Sequence, residues 1–257
     1  MDILVVSLVA LFASGLTLFS GFGLGTLLMP VVAIFFSVEV AIGITAIVHL
    51  ANNLFKVVLL GKNASLSIVA RFGIPAVLFA FVGAALLAWL TEIPAVFSYE
   101  AFGRELFVTP LKLIVGILIL IFVGLELSPT FSAMSIDKKY LPFGGMVSGF
   151  FGGLSGHQGA FRSMFLIKAG LSKEAFVATG VILAVLVDLA RLSIYGWDIS
   201  ASVNAVDWTL VGSACLAAFA GAYFGAKLVK KITIRSIQLL VSTMLLVIGL
   251  GMVLGIL

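Results

Sequence analysis

The chain has 257 residues, 62% of them hydrophobic and only 10% charged, with a formal net charge of +4 at pH 7. Its apolar runs reach the roughly 20 residues that span a bilayer, which leaves no room for a separate soluble domain. The lysines and arginines cluster in a few loops, so the positive charge indicates membrane orientation and does not argue for nucleic-acid binding. The single cysteine, Cys215, excludes an intramolecular disulfide and a cysteine-based metal cage. The predicted fold class is an all-α polytopic membrane protein, and no cofactor is expected.

The predicted elements are apolar segments at about 3–37, 39–60, 66–90, 107–126, 140–168, 174–197, 207–229 and 235–256. The first and fifth are longer than one span, and each contains a glycine-rich break, at Ser20–Gly25 and at Gly152–Arg162. In hydrocarbon every backbone N–H and C=O must be satisfied, so a non-helical break persists only where protein or a water-filled cavity surrounds it. Each break therefore indicates a functional interior.

The two breaks lie 135 positions apart (155 − 20) when Ser20 is matched with Ser155. At this offset further residues coincide: Met29 with Met164, Glu39 with Glu174, Asn53 with Asp188, Lys56 with Arg191, and Gly61 with Gly196. The sequence therefore predicts a first transmembrane repeat at 1–126, a linker at 127–139 and a second repeat at 140–257. Two halves that each carry a broken helix followed by a polar helix are typical of secondary transporters.

Loop charges predict the orientation of the segments. The positive-inside rule places four basic loops in the cytoplasm, those with Lys62 and Arg71, Lys138 and Lys139, Lys168 and Lys173, and Lys227 to Arg235. Segment 140–168 then has both ends in the cytoplasm, which predicts a re-entrant hairpin of two half-helices.

The same interpretation of segment 3–37 gives each repeat a broken, re-entrant helical hairpin followed by three transmembrane helices. Three is an odd number, so the second repeat is predicted to be inverted relative to the first. Eight full spans with parallel repeats are the alternative. We expect a multi-pass protein of the inner cell membrane with its C-terminus outside.

Polar side chains follow the helical repeat on the segment after each break. They are His49, Asn52, Asn53 and Lys56 in the first half, and Asp188, Arg191 and Tyr195 in the second. Each set falls on one helix face, which must look into protein or a cavity because ionised groups facing lipid cost several kcal/mol. Structural alternatives are open for these residues: an ion pair for Asp188 and Arg191, snorkelling for Lys56, helix–helix hydrogen bonds for the asparagines and a core position for His49.

Arg162 and His157 are harder to explain structurally, because they lie in or just after the second break near mid-membrane. After each break a half-helix begins, and its first N–H groups, with the positive end of the helix dipole, form an anion site. Close packing of small residues is the structural alternative for the glycines. The predicted substrate-binding residues are Ser20, Gly21, Gly23, Gly25, His49, Asn52, Asn53, Lys56, Ser155, Gly156, His157, Gln158, Gly159, Arg162, Asp188 and Arg191. With Asp188 as the main acid among several cations, the substrate is expected to be an anion.

At these residues the chain resembles the sulfite exporter TauE/SafE family, also called the toluene sulfonate uptake permeases. The resemblance covers nearly the whole chain and rests on the breaks Ser20–Gly25 and Gly153–Gly159 and on the helix openings Ala41–Thr45 and Ala175–Thr179. It implies an integral membrane carrier of small sulfur-containing anions such as sulfite, thiosulfate and organosulfonates. The family's run of consecutive glycines is thinned here, and the second break adds side-chain donors where the usual pattern has bare backbone.

The resulting hypothesis is a secondary transporter, and specifically an exporter, that moves such an anion by alternating access between two repeats. His49 and His157 are candidate proton carriers, because imidazole titrates near neutral pH. An anion channel, or a carrier of a different small organic anion, is the alternative. A membrane-embedded enzyme is not expected, since the sequence offers no obvious nucleophile or metal cluster. The expected partners are the anion, the lipid bilayer and protons, with no nucleic acid; the sequence leaves the oligomeric state open.

Overall fold

The computed structural model describes residues 2–20, 23–101, 103–132, 134–202, 207–228 and 234–257. Its helices are α1 (Asp2–Ser20), α2 (Leu24–Val32), α3 (Val38–Leu60), α4 (Leu66–Thr91), α5 (Pro110–Leu127), α6 (Pro129–Ser132), α7 (Leu141–Ser155), α8 (Gly159–Leu166), α9 (Lys173–Ser202), α10 (Trp208–Leu228) and α11 (Ile234–Val253). Short 3-10 turns lie at Gly61–Asn63 and Lys138–Tyr140. An antiparallel hairpin of β1 (Phe97–Ala101) and β2 (Arg104–Val108) lies between α4 and α5. The chain is the predicted all-α membrane protein, with this hairpin added in a loop for which no structure was predicted.

Local sequence sets where helices begin. Thr109 caps α5, since its hydroxyl accepts a hydrogen bond from the backbone N–H of Lys112 at 3.2 Å, and Pro110 takes the first helical position. The carboxylate of Asp207 precedes α10 and accepts from the backbone N–H of Thr209 at 2.9 Å. These caps satisfy backbone donors at the edges of the apolar sequence.

Both helix breaks lie where the sequence predicts them. α1 ends at Ser20 and α2 begins at Leu24, while residues 21 and 22 lie outside the described part of the chain. α7 and α8 are separated by residues 156–158. Gly156 has φ +80°, a left-handed conformation that residues with side chains rarely adopt, so the second break depends on glycine.

The chain reverses direction at the second break. The ring of Phe165, near the end of α8, packs directly on Gly144, near the start of α7. The backbone N–H of Ile136 donates to the Met164 carbonyl at 3.1 Å. α8 therefore runs back along α7, and segment 140–168 leaves on the side where it begins. The predicted hairpin requires this reversal of the chain. The orientation of the hairpin relative to the membrane stays a prediction.

Helices from the two halves pack in exchanged pairs. α4 packs along α7, and α1 packs along α10. α3 packs on α9 and α5 on α11, so each of these helices contacts its own counterpart in the other half. Such a pattern is what a two-fold relation between the halves produces. The inverted orientation of the repeats, with its boundaries at 1–126 and 140–257, stays a prediction.

Glycines allow the exchanged pairs to pack closely. A methyl group on Gly153 of α7 would overlap the backbone carbonyl of Ala80 in α4, and one on Gly221 of α10 would overlap that of Leu11 in α1. These contacts bring helix backbones together as small-residue interfaces do in membranes. Close packing of small residues, which is the structural alternative for the glycines, therefore occurs along these two helix pairs.

Among the described residues, length and composition allow three helices to span a membrane: Val38–Asn63, Leu66–Thr91 and Lys173–Tyr195. Shorter apolar helices lie at Asp2–Leu16, Pro110–Leu125, Trp208–Phe224 and Ser242–Val253. Large apolar side chains are exposed on several of them, including Val58, Leu78, Leu216 and Val247. Exposed apolar side chains on helices of this kind are suited to hydrocarbon, as in a multi-pass membrane protein.

Candidate functional site

The polar face predicted on α3 points into the protein. His49, Asn52, Asn53 and Lys56 are each between 0% and 5% exposed. Polar groups at this depth need partners, because leaving one unsatisfied costs about 1–3 kcal/mol. Their partners come from α1, α9 and α10.

Asp188 on α9 is fully buried and joins the two halves. Its Oδ2 accepts a hydrogen bond from His49 Nδ1 at 2.6 Å, and its Oδ1 pairs with Arg191 Nη2 at 2.8 Å. The side-chain amide of Asn53 also donates to Oδ2, at 3.5 Å. The ion pair considered for Asp188 and Arg191 is thus present, and it forms part of a larger network that includes His49.

This network extends from one helix break to the other. At the first break, a Cβ on Gly23 would lie 3.6 Å from His49 Nε2. At the second, a Cβ on Gly156 would lie only 2.8 Å from Arg191 Nη1, so the guanidinium packs directly against the turn. A chain of polar contacts through Asp188 therefore connects the two breaks.

Asn52 connects Lys56 to the helices of the other side of the bundle. With the amide oriented so that both of its polar atoms are satisfied, its nitrogen donates to the Ser14 hydroxyl at 2.8 Å and to the Ala218 carbonyl at 3.3 Å, and its oxygen accepts from Lys56 Nζ at 3.1 Å. Lys56 is only 4% exposed, so it does not reach out to the headgroups as the snorkelling alternative would require.

His157 in the second break is buried beside an aromatic cluster. Its Nδ1 donates to the Ser155 carbonyl at 3.0 Å, and its ring stacks on Phe122 with centroids 5.1 Å apart and an interplanar angle of 7°. The neighbouring Gln158 accepts from Arg162 Nη1 at 3.3 Å through its Oε1. The second break is therefore closed by side-chain packing in this conformation.

A cavity of about 530 Å³ lies between α2, α3, α8 and α9. Five of the predicted site residues line it: Gly23, His49, Asn53, Lys56 and Arg162. Its wall also includes Ser172 and Lys173, which are exposed at the start of α9. The cavity therefore leads from the surface at the α8–α9 connection to the buried network beside Asp188.

The other predicted site residues lie outside this lining. Asn52, Asp188 and Arg191 lie behind the inner wall, in the polar network. Ser155, Gly156, His157, Gln158 and Gly159 form the closed second break and the start of α8. Gly25 packs under Thr45 of α3, and the side chain of Ser20 and all of Gly21 lie outside the described residues. The structure thus brings the first break, but not the second, to the cavity.

The structure adds cavity residues that the sequence analysis did not select. Ser163 and Phe176 lie on its wall, and Gly180 makes room for the Arg162 side chain, since a Cβ there would be 3.4 Å from Arg162 Nε. A sequence signal existed for Ser163, which follows Arg162 directly on a short half-helix. Lys173 gave only the ordinary signal of a basic loop.

The charge of the cavity is one-sided. Lys56, Arg162 and Lys173 contribute cations, whereas the described lining includes no aspartate or glutamate. Asp188 is held behind His49, where it balances Arg191. A cation-lined cavity without acidic side chains in its described lining favours a small anion and disfavours a cation.

A buried polar site that opens to one surface within a bundle of membrane helices defines the molecule as a membrane transport protein. The chain belongs to the sulfite exporter TauE/SafE family, whose family model matches residues 6–252. It is therefore a membrane transporter of the sulfite and sulfur-anion exporter class. A comparison with curated proteins gave no match.

Proposed function

We propose that this protein is a secondary transporter that exports a small sulfur-containing anion, such as sulfite or an organosulfonate, across the inner cell membrane by alternating access. The observation that carries the proposal is the 530 Å³ cavity, which is lined by Lys56, Arg162 and Lys173 and ends at a helix break. Its volume suits an anion of a few heavy atoms together with part of its hydration shell.

Arg162 and Lys56 are the proposed anion ligands. A guanidinium presents a planar fork of N–H donors that matches the oxygens of an oxyanion, and an ammonium adds a point charge. Both side chains line the cavity together with Gly23, which precedes the start of α2. The first N–H groups of that helix add donors of the same polarity.

The proposed topology is compatible with export. The cavity opens beside Lys173, in a loop that the positive-inside rule places in the cytoplasm. In the proposed export cycle this conformation is the state that loads an anion from the cytoplasm.

His49 is the proposed route for coupling to protons. It lines the cavity and also hydrogen-bonds Asp188, so its charge state affects both the bound anion and the buried network. Imidazole is the side chain whose unperturbed titration lies closest to neutral pH. His157 is a weaker candidate, because its ring stacks on Phe122 and does not line the cavity.

The test is flux in proteoliposomes of purified protein under an imposed pH gradient, with sulfite, thiosulfate, taurine, sulfoacetate and sulfate offered in turn. We expect saturable flux of at least one sulfur anion. Arg162→Ala should weaken apparent affinity by about 100-fold or more, because it removes charge-assisted hydrogen bonds worth about 1.5–3 kcal/mol each.

The matched control is Arg71→Ala, which removes an exposed arginine of α4 that does not line the cavity and should leave flux unchanged. Wild-type affinity in Arg162→Ala would remove Arg162 from the site. Linear flux without saturation would favour an anion channel. No flux of these five compounds, followed by flux of a carboxylate such as acetate in a second screen, would favour a carrier of a different organic anion.

A further inference from the structure

The cavity is lined by helices of both halves but reaches only one of the two helix breaks. It lies beside the first break, while the second break is closed. If the halves are related by a two-fold relation, each residue of the open cavity has a counterpart that takes the same position on the opposite side. The counterparts then show what a second cavity would contain.

The register between the halves is fixed by three observations. α2 begins at Leu24 and α8 at Gly159, an offset of 135 (159 − 24). α3 begins at Val38 and α9 at Lys173, the same offset (173 − 38). Asn53 lies 3.5 Å from Asp188, its own counterpart at this offset. Counterparts meet only where a two-fold axis passes between them, so this contact supports the register independently.

At this register the counterparts of the cavity lining form a defined set. Gly23 corresponds to Gln158, His49 to Ala184, Asn53 to Asp188, Lys56 to Arg191, Phe176 to Ala41 and Gly180 to Thr45. All of these counterparts are buried, with between 0% and 3% exposure. The second cavity is therefore packed shut in this conformation.

Several polar atoms in this closed region have no hydrogen-bond partner. Among the described residues, Thr45 Oγ1, His157 Nε2, Gln158 Nε2 and Arg191 Nε are inaccessible and unsatisfied, and Asp188 Oδ1 has only its ion-pair contact with Arg191. Burying a polar group without a partner is costly, and natural proteins retain few of them. Thr45, Gln158, Asp188 and Arg191 belong to the counterpart set, and His157 adjoins Gln158 in the second break. N–H and O–H donors without partners are what an anion site closed around no ligand would leave behind.

We infer that Thr45, Gln158 and Arg191 form a second anion-binding site, which opens to the opposite side of the membrane when the first cavity closes. This inference rests on the proposed function, because it supplies the release side of the same transport cycle. Arg191 holds Asp188 through Nη2 and keeps Nε for an anion, since a guanidinium carries five N–H donors. The Thr45 hydroxyl and the Gln158 amide add two neutral donors.

The second site is the weaker of the two for an anion. Its cation, Arg191, is already paired with Asp188. The counterpart of Arg162 is Leu27, so no second guanidinium is present at that position. An anion is therefore captured at the cation-rich cavity and released from the neutralised one, as export requires.

The experiment measures which membrane face reaches each site, using single cysteines in full-length protein that carries Cys215→Ala. Ser163→Cys reports the open cavity, and Ala41→Cys and Ala184→Cys report the closed one from two different helices. Each is labelled with a membrane-impermeant maleimide in right-side-out and in inside-out vesicles, without added anion. Val115→Cys, buried in α5 at 0% exposure and outside both sets, is the control.

We expect Ser163→Cys to be labelled from one face, and Ala41→Cys and Ala184→Cys from the opposite face at least about tenfold faster than Val115→Cys. The two reporters lie on different helices. If one of these variants fails to fold, the other still tests the inference. Labelling of both from the same face as Ser163→Cys, or no faster than Val115→Cys, would overturn the inference.

The flux assay separates this outcome from failure of the proposed function. Opposite-face labelling without flux of any sulfur anion would support the second site and reject the substrate class. Saturable sulfur-anion flux without opposite-face labelling would keep the substrate class and reject the second site.

Discussion

Asp188→Asn is the substitution that the polar network makes most consequential. It keeps the shape of the side chain but removes the negative charge that lies between His49 and Arg191, at 2.6 and 2.8 Å. Arg191 is then left as a buried cation at 2% exposure with no carboxylate beside it. The replacement amide keeps one acceptor oxygen and presents an N–H₂ group in place of the other, so only one of the two contacts keeps its acceptor.

The expected cost follows from this geometry. Removing one partner of a buried ion pair destabilises a protein by about 3–5 kcal/mol, because the other charge remains desolvated. For a chain of this size about 1 kcal/mol corresponds to about 2–4 °C in the midpoint of thermal unfolding, which gives a fall of about 6–20 °C. Thermal unfolding of the purified protein in detergent, followed by loss of the monodisperse fraction, measures this shift.

The double variant Asp188→Asn/Arg191→Gln decides whether the pair is the cause. It removes both charges, so it should be more stable than Asp188→Asn alone, with a coupling of at least about 1 kcal/mol in the double-mutant cycle. Glu92→Gln, an exposed acid at the end of α4, is the control for charge loss in general and should leave the midpoint unchanged. Equal destabilisation of the single and double variants would refute the ion-pair reasoning.

Three further predictions concern packing and sidedness. Gly153→Ala should lower the free energy of unfolding by about 1–3 kcal/mol, because the added methyl group meets the Ala80 carbonyl. The control Gly124→Ala, which has open space around it, should be neutral or slightly stabilising. The midpoints of thermal unfolding compare the two variants. Phe122→Ala should cost about 3–5 kcal/mol in the same assay, since it removes a buried ring that stacks on His157. Half-saturation of flux should occur at about tenfold lower anion concentration on the face where the cavity opens, measured with oriented vesicles; equal values on both faces would contradict the charge asymmetry.

The helical framework could be predicted from the sequence because its signals are local. Gly156 is a clear case, since a glycine within an apolar run marks the residue whose left-handed φ ends α7. The hairpin around Gly103, which has φ +70°, escaped prediction although its turn residue is a glycine too. Its strands are short and partly charged. Between two helical membrane segments, such a sequence cannot be distinguished from an ordinary connecting loop.

The site could be predicted only in part, because its contacts are long-range. The polar stripe on α3 and the charged pair on α9 were each visible in the sequence, but no local signal shows that His49 meets Asp188, 139 residues further along the chain. Nor does the sequence show which break lines the cavity in a given conformation. Lys173 illustrates the same limit, since a lysine in a basic loop carries no sign that it lies at a cavity mouth.

The bond between His49 and Asp188 also has a consequence for how the protein is made. The first four helices contain His49, Asn53 and Lys56 on one face, and the acid that binds two of them arrives only with α9. Until then His49 and Asn53 lack this partner inside the bilayer, where unsatisfied polar groups are costly. α4 and α1 likewise lack the helices against which they pack until α7 and α10 have been synthesised. Each half is therefore an incomplete structure during synthesis, and a chain severed between α6 and α7 should yield a stable protein only when both fragments are produced together.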